Sequence, residues 1–217
     1  MMPKAIKKTT PLYHKAYEEI KAAILTGRIS PGSKISESTF ADQLKISRTP
    51  LRDALRQLKK DGLLTTENGV TKVMELNQQD YEDLYDCRIQ LEKRAVELTI
   101  NRMTENQIKA ISLSIKNAEQ ALFQGDYMKT LTYNTQFHKE LTSPCPNRRL
   151  LRLLDQIRSL LLLYRANSLQ FSEHNIEIFS EHRMILEAVK RRDAAKAVEA
   201  IEAHLLGDLA RGKNMFK

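Results

Sequence analysis

The sequence has little of what marks membrane, secreted or disulfide-stabilised proteins. Its two cysteines, Cys87 and Cys145, have a spacing that fits neither a disulfide framework nor a metal-binding motif. No apolar run approaches the length of a membrane span, and no signal-peptide pattern opens the chain. We therefore expect a cytoplasmic protein without a membrane partner, and 217 residues are enough for one or two domains.

Signals of catalysis and of strands are also scarce. The sequence shows no serine or cysteine nucleophile arrangement, no glycine-rich phosphate loop and no positioned carboxylate base. We therefore expect a protein that is not an enzyme. Between Gly69 and Gly207 the only glycine is Gly125, and strand signals vanish from Asn77 onward. This part of the chain is predicted to be helical.

Positive charge is concentrated toward one end of the chain. Residues 1–76 contain 14 lysines and arginines against 8 acidic residues, whereas residues 77–217 contain 21 against 19. A polyanion-binding module attached to a nearly neutral domain explains this asymmetry. A basic surface that serves only solubility does not predict it. We expect two domains, residues 1–76 and residues 77–217.

The basic part contains a predicted helix with two different faces, from Ile46 to Leu58. Its apolar residues recur at i, i+4 and i+7 and predict a buried stripe: Leu51, Leu55 and Leu58. The start and the opposite face carry a hydroxyl pair and arginines: Ser47, Arg48, Thr49, Arg52 and Arg56. Such a helix suits reading of the DNA major groove, although a solvated basic face is the simpler alternative.

The residues on either side of this helix complete a winged helix-turn-helix. A helix predicted for residues 36–44 precedes it with a very short connection. Two β-type runs, 63–66 and 70–73, follow it around Asn68-Gly69, and Asn-Gly is a strong hairpin signal. Together with a helix predicted from Leu12 to Thr26, these elements give three helices followed by a two-stranded hairpin, which form the expected DNA-binding domain.

The second part is predicted to be an all-α bundle of about six helices. One predicted helix runs without a break from Asn147 to Ala166, and another begins at His174. A bundle of about 140 residues is large enough to enclose a ligand cavity.

Three of the five histidines, His138, His182 and His204, face apolar stripes of these helices. Asn134 lies one turn before His138 on the same face. Each histidine taken alone is expected to be a hydrogen-bonded core residue. Three together, with an amide beside one of them, form a pattern typical of metal sites in bundle cores.

Residues 20–64 resemble the DNA-binding head of the GntR family of bacterial transcription regulators. The matching segments are 24–32, 47–55, Leu58 and 62–63. The resemblance implies that one group of residues contacts operator DNA: Ser47, Arg48, Thr49 and Arg52. It also implies that Gly69 lets the wing tip approach the minor groove. Ser38 stands where family members often have arginine, so specificity is expected to depend more on Arg48 and Arg52.

Residues 80–206 resemble, more loosely, the FCD ligand-binding domain of the FadR subfamily. The matching segments include Arg88, 134–141, 181–186, 192–197 and 204–205. Many FCD domains bind a divalent metal ion, here expected to be zinc or nickel, through one aspartate and three histidines. The histidine positions match His138, His182 and His204, whereas Asn134 replaces the usual aspartate. A neutral amide can coordinate but lowers the charge of the site. A polar cluster that holds the effector directly is the alternative.

Two arginines are candidates for binding a small carboxylate effector. The resemblance assigns this role to Arg88, and a guanidinium suits bidentate binding of a carboxylate. Arg158, in a leucine-rich helix, is the second candidate. The alternative for Arg88 is an ion pair with Glu92 or Asp155.

These features together predict a transcription regulator, most often a repressor in this family. It would bind a palindromic double-stranded operator as a homodimer and respond to a small organic acid or sugar acid. A metal-responsive regulator is one alternative. A metal-dependent hydrolase is another, since three helix-borne histidines with an open coordination position could activate water.

Overall fold

The computed structural model describes the backbone of residues 11–171 and 175–216 and the side chains of residues 11–168 and 177–216. Over these ranges it contains ten α-helices and one two-stranded antiparallel sheet. The chain divides after Glu75 into two units, the first with three helices and the sheet, the second with the other helices. This confirms the predicted fold class. No helix in the described residues is long and apolar enough to cross a membrane.

The first unit consists of short elements: α1 (Leu12–Leu25), α2 (Glu37–Leu44), α3 (Arg48–Lys60), β1 (Leu64–Glu67) and β2 (Val70–Val73). Helix α1 packs against α3. The side chains of Ile20, Ile24, Leu51 and Leu58 are almost completely buried. Burial of one such aliphatic side chain contributes about 1.5–3 kcal/mol, so this small apolar core holds α3 in place.

A three-residue turn connects α2 to α3. Lys45 adopts the left-handed conformation, with φ 53° and ψ 44°, and Ile46 and Ser47 lead into α3. Ser36 begins α2 as predicted, because its hydroxyl accepts a hydrogen bond from the Thr39 amide. The two helices thus form the predicted helix-turn-helix.

The wing is a tight hairpin. Leu64 lies opposite Val73, and Glu67 lies opposite Val70, so a two-residue loop connects the strands. The loop residues Asn68 and Gly69 both have positive φ, 50° and 78°. This is the backbone of a type I′ turn, which Asn-Gly favours.

The second unit is built from seven helices in its described residues: α4 (Gln78–Thr99), α5 (Glu105–Phe123), α6 (Tyr127–Thr142), α7 (Arg148–Leu160), α8 (Leu162–Phe171), α9 (Asn175–Lys190) and α10 (Ala194–Lys213). Short 3₁₀ turns at Ile100–Arg102 and Asn214–Phe216 follow α4 and α10. Helix α5 packs against α6 and α9, and α10 packs against α4 and α9. Their contact faces form an apolar core that contains Phe137, Ile185 and Ile201.

The helix predicted from Asn147 to Ala166 is two consecutive helices. The break is at Leu161, whose ψ of −9° departs from the helical value. Leu161 and Leu163 are both fully buried, although residues two apart point to opposite sides of a straight helix. The change of direction lets both side chains reach the core. The predicted helix start at His174 lies outside the described residues, as do Met1–Thr10.

Gly212, in the last turn of α10, allows the close approach of α4. A Cβ atom at this position would overlap the hydroxyl of Tyr81. The Tyr81 ring is buried, and its hydroxyl donates a hydrogen bond to the Asp208 carbonyl at 3.0 Å, so it has little freedom to move.

We predict that Gly212→Ala lowers the free energy of unfolding by about 1–3 kcal/mol, the usual cost of overpacking a core. Gly207→Ala is the milder comparison in the same helix, because its Cβ would lie 3.0–3.2 Å from the ends of the Arg211 and Glu181 side chains and would not overlap a ring. Urea unfolding followed by circular dichroism compares the two variants. Equal stability of both would contradict the packing argument.

Candidate functional site

Helix α3 presents its first turn to solvent. Its buried side consists of Leu51, Ala54, Leu55 and Leu58. Ser47 occupies the N-cap position with an extended backbone, but its hydroxyl makes no capping hydrogen bond. Arg48 and Thr49 are exposed beside it. The positive end of the helix dipole, a hydroxyl and a guanidinium are therefore available to one anionic partner.

A surface ion pair positions Arg52 on the same helix. Its Nε donates to Glu37 Oε2 at 2.7 Å, and both side chains are roughly half exposed. An exposed pair of this kind stabilises a fold by less than about 1 kcal/mol. Its effect is to hold the Arg52 guanidinium beside the start of α2. Ser38 lies there too, with its hydroxyl 3.0 Å from Ser36 Oγ.

In the second unit, three histidines from three helices meet in the core. His138 lies on α6, His182 on α9 and His204 on α10, and each is about 1% exposed. The Nε2 atom of His204 is 3.3 Å from Nε2 of His138 and 3.3 Å from Nε2 of His182. Two imidazole nitrogens bound to a tetrahedral zinc ion at 2.0–2.1 Å lie roughly 3.3–3.4 Å apart. The observed spacing matches that geometry.

Carboxylates orient two of these imidazoles. The Nδ1 atom of His138 is 2.9 Å from Glu92 Oε2, and that of His204 is 2.7 Å from Glu181 Oε2. Burial alone would raise the pKa of the Glu92 carboxyl, but its interaction with His138 and the positive charges of Arg158 and Arg88 hold that pKa well below its usual range. The pKa of Glu181 is also lowered despite its burial, by hydrogen bonds from His204 and Arg211. Both carboxylates are therefore ionised, and each accepts a hydrogen bond from an imidazole Nδ1–H.

The Nε2 lone pairs of His138 and His204 then face each other. Burial lowers the pKa of His138 to about 3, and it holds the pKa of His182 well below the usual value, so both are neutral at neutral pH. Two lone pairs 3.3 Å apart repel each other unless a cation lies between them. Histidine ligands of metal ions typically donate their other N–H to a carboxylate, as here. This donor set fits a divalent metal ion.

Asn134 adds an oxygen on the same face of α6. It is 3% exposed and lies one turn before His138. Among the described residues, its Oδ1 atom has no hydrogen-bond partner. A buried amide oxygen without a hydrogen-bond partner lowers stability by about 1–3 kcal/mol. A bound metal ion would give this oxygen a partner.

Arg88 is completely buried next to these residues. Its Nε donates to Glu92 Oε1 at 3.0 Å, so the ion pair with Glu92 considered from the sequence is present. Its Nη1 donates to the Tyr85 hydroxyl at 3.3 Å and lies 3.9 Å from Asp208 Oδ2. Its Nη2 has no hydrogen-bond acceptor within the described part of the chain. The guanidinium therefore has one edge available to another anion.

Arg158 uses its Nε and Nη2 donors within the bundle. Its Nη2 donates to the His138 carbonyl at 2.9 Å and to Thr142 Oγ1 at 3.1 Å. Its Nε donates to Glu92 Oε1 at 3.3 Å. The structure thus places Arg158 behind His138, where it supports Glu92, and does not direct it toward the Nε2 atoms.

Sequence reasoning named Glu92 only as an ion-pair partner of Arg88, and it missed two further acidic residues of this site, Glu181 and Asp208. Glu92 is one turn after Arg88, Asp208 is one turn after His204, and Glu181 precedes His182. Asp208 Oδ2 lies 3.5 Å from His204 Nε2, and its other oxygen accepts from Arg211 Nη2 at 2.8 Å. The i, i+4 spacing to His204 was the signal that could have identified Asp208.

Comparison with known proteins agrees with both units. Residues 12–72 match the model of bacterial regulatory proteins of the gntR family, and residues 83–207 match the FCD domain. The HTH-type transcriptional regulator YdhC of Bacillus subtilis (strain 168) is 31% identical over 215 residues, 98% of this chain and 96% of that protein. The HTH-type transcriptional repressor GlaR of Escherichia coli (strain K12) is 28% identical over 204 residues, 88% and 90% of the two chains.

A solved structure shows the same fold. The structure of E. coli McbR/YncC superposes with a TM-score of 0.82 at 18% identity and covers 96% of this chain and all of that one. Both units thus match known domain families, and the chain belongs to the GntR family of bacterial transcription regulators, in the FadR-like subfamily that carries an FCD domain.

Proposed function

We propose that this regulator binds a palindromic operator as a homodimer and that a small organic acid, bound beside a divalent metal ion in the helical unit, controls its operator affinity. The observation that carries the proposal is that the Nε2 atoms of three buried histidines meet near Arg88. The Nη2 atom of Arg88 has no hydrogen-bond acceptor among the described residues. Two relatives are named as repressors, the gluconate operon repressor of Bacillus subtilis and GlaR, and this favours a repressor here. The chain is not an enzyme, as its family shows.

The DNA-binding residues we propose all lie in the first unit: Ser47, Arg48, Thr49, Arg52 and Gly69. The first turn of α3 would enter the major groove, where arginine recognises guanine edges and helix N-termini bind phosphates. Gly69 at the wing tip has open space around its Cα, which permits close approach to the backbone of a minor groove. A homodimer places two such heads on the two halves of a palindrome.

The metal ligands we propose are His138, His182, His204 and the amide oxygen of Asn134. Zinc or nickel suits three imidazole nitrogens. Four neutral ligands leave the +2 charge of the ion uncompensated in a buried site, which is costly. A carboxylate from the effector would relieve that cost, with the free edge of Arg88 receiving its second oxygen. The metal therefore supplies an electrostatic anchor for an acid.

A hydrogen-bonded aromatic path connects this site to the start of α4. The Tyr81 hydroxyl donates to the Asp208 carbonyl, and its ring lies 5.3 Å from that of Tyr164. The Tyr164 hydroxyl accepts from the Asn77 amide at 3.1 Å and donates to Asp80 Oδ2 at 2.8 Å. Asn77 caps α4 directly after the division between the two units. A movement of the Asp208 backbone would thus change contacts at Asn77 and Asp80, close to the point where the chain passes from the first unit to the second.

For the DNA contacts, Arg48→Ala and Arg52→Ala should each weaken operator binding by about 1–3 kcal/mol, since each removes a base or phosphate contact. Fluorescence anisotropy with operator DNA measures this effect. Arg94→Ala, which removes an equally exposed arginine from the helical unit, is the control for net charge. Wild-type affinity in both head variants would disprove the assignment.

For the metal, His204→Ala should lower metal affinity by more than about tenfold and should also weaken binding of an acid selected from a panel of small carboxylates. Asn134→Asp should instead tighten metal binding and lower the affinity for the acid, because the added carboxylate competes with the acid for the metal ion. Mass spectrometry of the metal content and calorimetry with the acid test both. His14→Ala, at an exposed histidine, is the control. Unchanged acid affinity in His204→Ala would exclude a metal bridge. Operator release by metal alone would favour a metal-responsive regulator.

For the coupling, Tyr164→Phe should leave acid affinity within about twofold of wild type but reduce the effect of the acid on operator affinity. Allosteric coupling is typically about 5–150-fold, and we expect the variant to lose most of it. Tyr127→Phe, at an exposed tyrosine on α6, is the control. Operator titrations with and without acid measure the coupling, and an unchanged ratio would argue against this path.

A further inference from the structure

Three residues other than glycine have a positive φ in the described part of the chain: Lys45, Asn68 and Arg192. An L-amino acid in this left-handed conformation is strained, because its Cβ atom crowds the following carbonyl oxygen. Glycine has no Cβ and adopts the same conformation without strain. A side chain that is kept at such a position therefore needs a physical reason.

For two of the three residues the fold supplies that reason. Asn68 is the first residue of the type I′ turn at the wing tip, where asparagine is favoured. The side chain of Arg192 connects two parts of the helical unit. Its Nη1 donates to the Ile100 carbonyl at 2.8 Å, and its Nη2 lies 3.6 Å from Glu105 Oε1. These contacts offset the strain at Arg192.

The side chain of Lys45 makes no such contacts. Its backbone, with φ 53° and ψ 44°, ends α2, and its amide donates to the Ala41 and Asp42 carbonyls. A glycine would form the same backbone hydrogen bonds. The Lys45 side chain is exposed, and its ammonium group forms no ion pair or hydrogen bond with any residue that the structure describes. The strain is therefore not offset by a polar contact of the lysine within these residues.

The position of Lys45 suits a contact with DNA. It is the first residue of the turn between α2 and α3, and α3 begins at Arg48, three residues later. In a helix-turn-helix, the first helix crosses the DNA backbone, and the N-terminal residues of the second helix contact base edges. The turn between the two helices is therefore close to the backbone when α3 lies in the major groove. A lysine has a compact charge on a flexible stem, which suits a phosphate partner.

We propose that Lys45 binds a phosphate of the DNA backbone, and that the strained conformation at this position is kept because the lysine charge is needed there. This inference rests on the proposed function, in which the first turn of α3 enters the major groove. A phosphate contact carries no sequence information, so Lys45 raises the affinity for operator and non-operator DNA alike. It also makes binding more dependent on salt, since each neutralised phosphate releases counterions.

The test separates the charge of Lys45 from its backbone strain by three substitutions in the full-length protein. Lys45→Gln removes the charge and keeps the strain, Lys45→Gly removes both, and Lys45→Arg keeps both. Fluorescence anisotropy over a range of salt concentrations measures binding to two duplexes of equal length. One is an operator that the wild-type protein selects from randomised DNA, and the other is a scrambled sequence. Thermal unfolding gives the stability of each variant.

The Gln and Gly variants should bind both duplexes about 3–10-fold more weakly at low salt, and the slope of log affinity against log salt should decrease in magnitude by about 1. Lys45→Gly should melt no lower than the wild type, because it relieves the strain. Lys45→Arg should bind as the wild type does. Lys60→Gln is the control, because it removes an equal charge from an exposed lysine roughly 18 Å along α3 from Arg48. It should change the affinity by less than about twofold.

Three results would overturn this inference. Lys45→Gln could lose no more affinity than Lys60→Gln, Lys45→Arg could lose as much as Lys45→Gln, or Lys45→Gly could melt below the wild type, which would mean that the lysine serves the fold. Arg48→Ala and Arg52→Ala, measured beside these variants, keep the proposed function separate. If neither weakens operator binding, the proposed docking of α3 is wrong, and this inference is wrong with it.

Discussion

The helical unit depends on one fully buried carboxylate, that of Glu92. Three groups from three helices bind it: Arg88 on its own helix, His138 on α6 and Arg158 on α7. Removal of one partner from a buried ion pair typically costs about 3–5 kcal/mol, because the remaining charge stays buried. This carboxylate therefore fixes the tautomer of His138 and the direction of Arg88 together. The structural charge network and the candidate ligand site therefore share two residues, His138 and Arg88.

The features predicted correctly from the sequence are those determined over short distances along the chain. The Asn68-Gly69 turn, the cap at Ser36 and the apolar stripe of α3 depend on neighbours within a few residues, so local pattern was sufficient. The inward direction of His138 followed in the same way from the apolar face of its helix. The meeting of three histidines was different, since helix periodicity gives a direction but no distance. The pattern of three inward-facing histidines suggested such a meeting, and the family resemblance then made the expectation specific.

The features that sequence reasoning missed depend on contacts between helices. Nothing in the pattern around Leu161 indicates a break, because it arises from the need to bury both Leu161 and Leu163. Arg158 and Arg165 look alike in sequence, as single arginines in helices with many apolar residues. Only their neighbours in space distinguish them, since the first has Glu92 and the second has a threonine hydroxyl. Which group each arginine contacts is therefore determined by how the helices pack and not by the local sequence.

Asn134 stands where FCD domains usually have an aspartate, and this difference changes which group supplies negative charge to the site. With an aspartate, the protein itself would offset part of the charge of a divalent ion. The three imidazoles and the amide contribute no negative charge. Glu92 and Glu181 are already bound to the Nδ1 atoms of His138 and His204. Asp208, held by Arg211, is then the nearest competitor of an incoming acid. In the proposed function, an acid would therefore complete the charge of the site and compete with Asp208 of α10 for it.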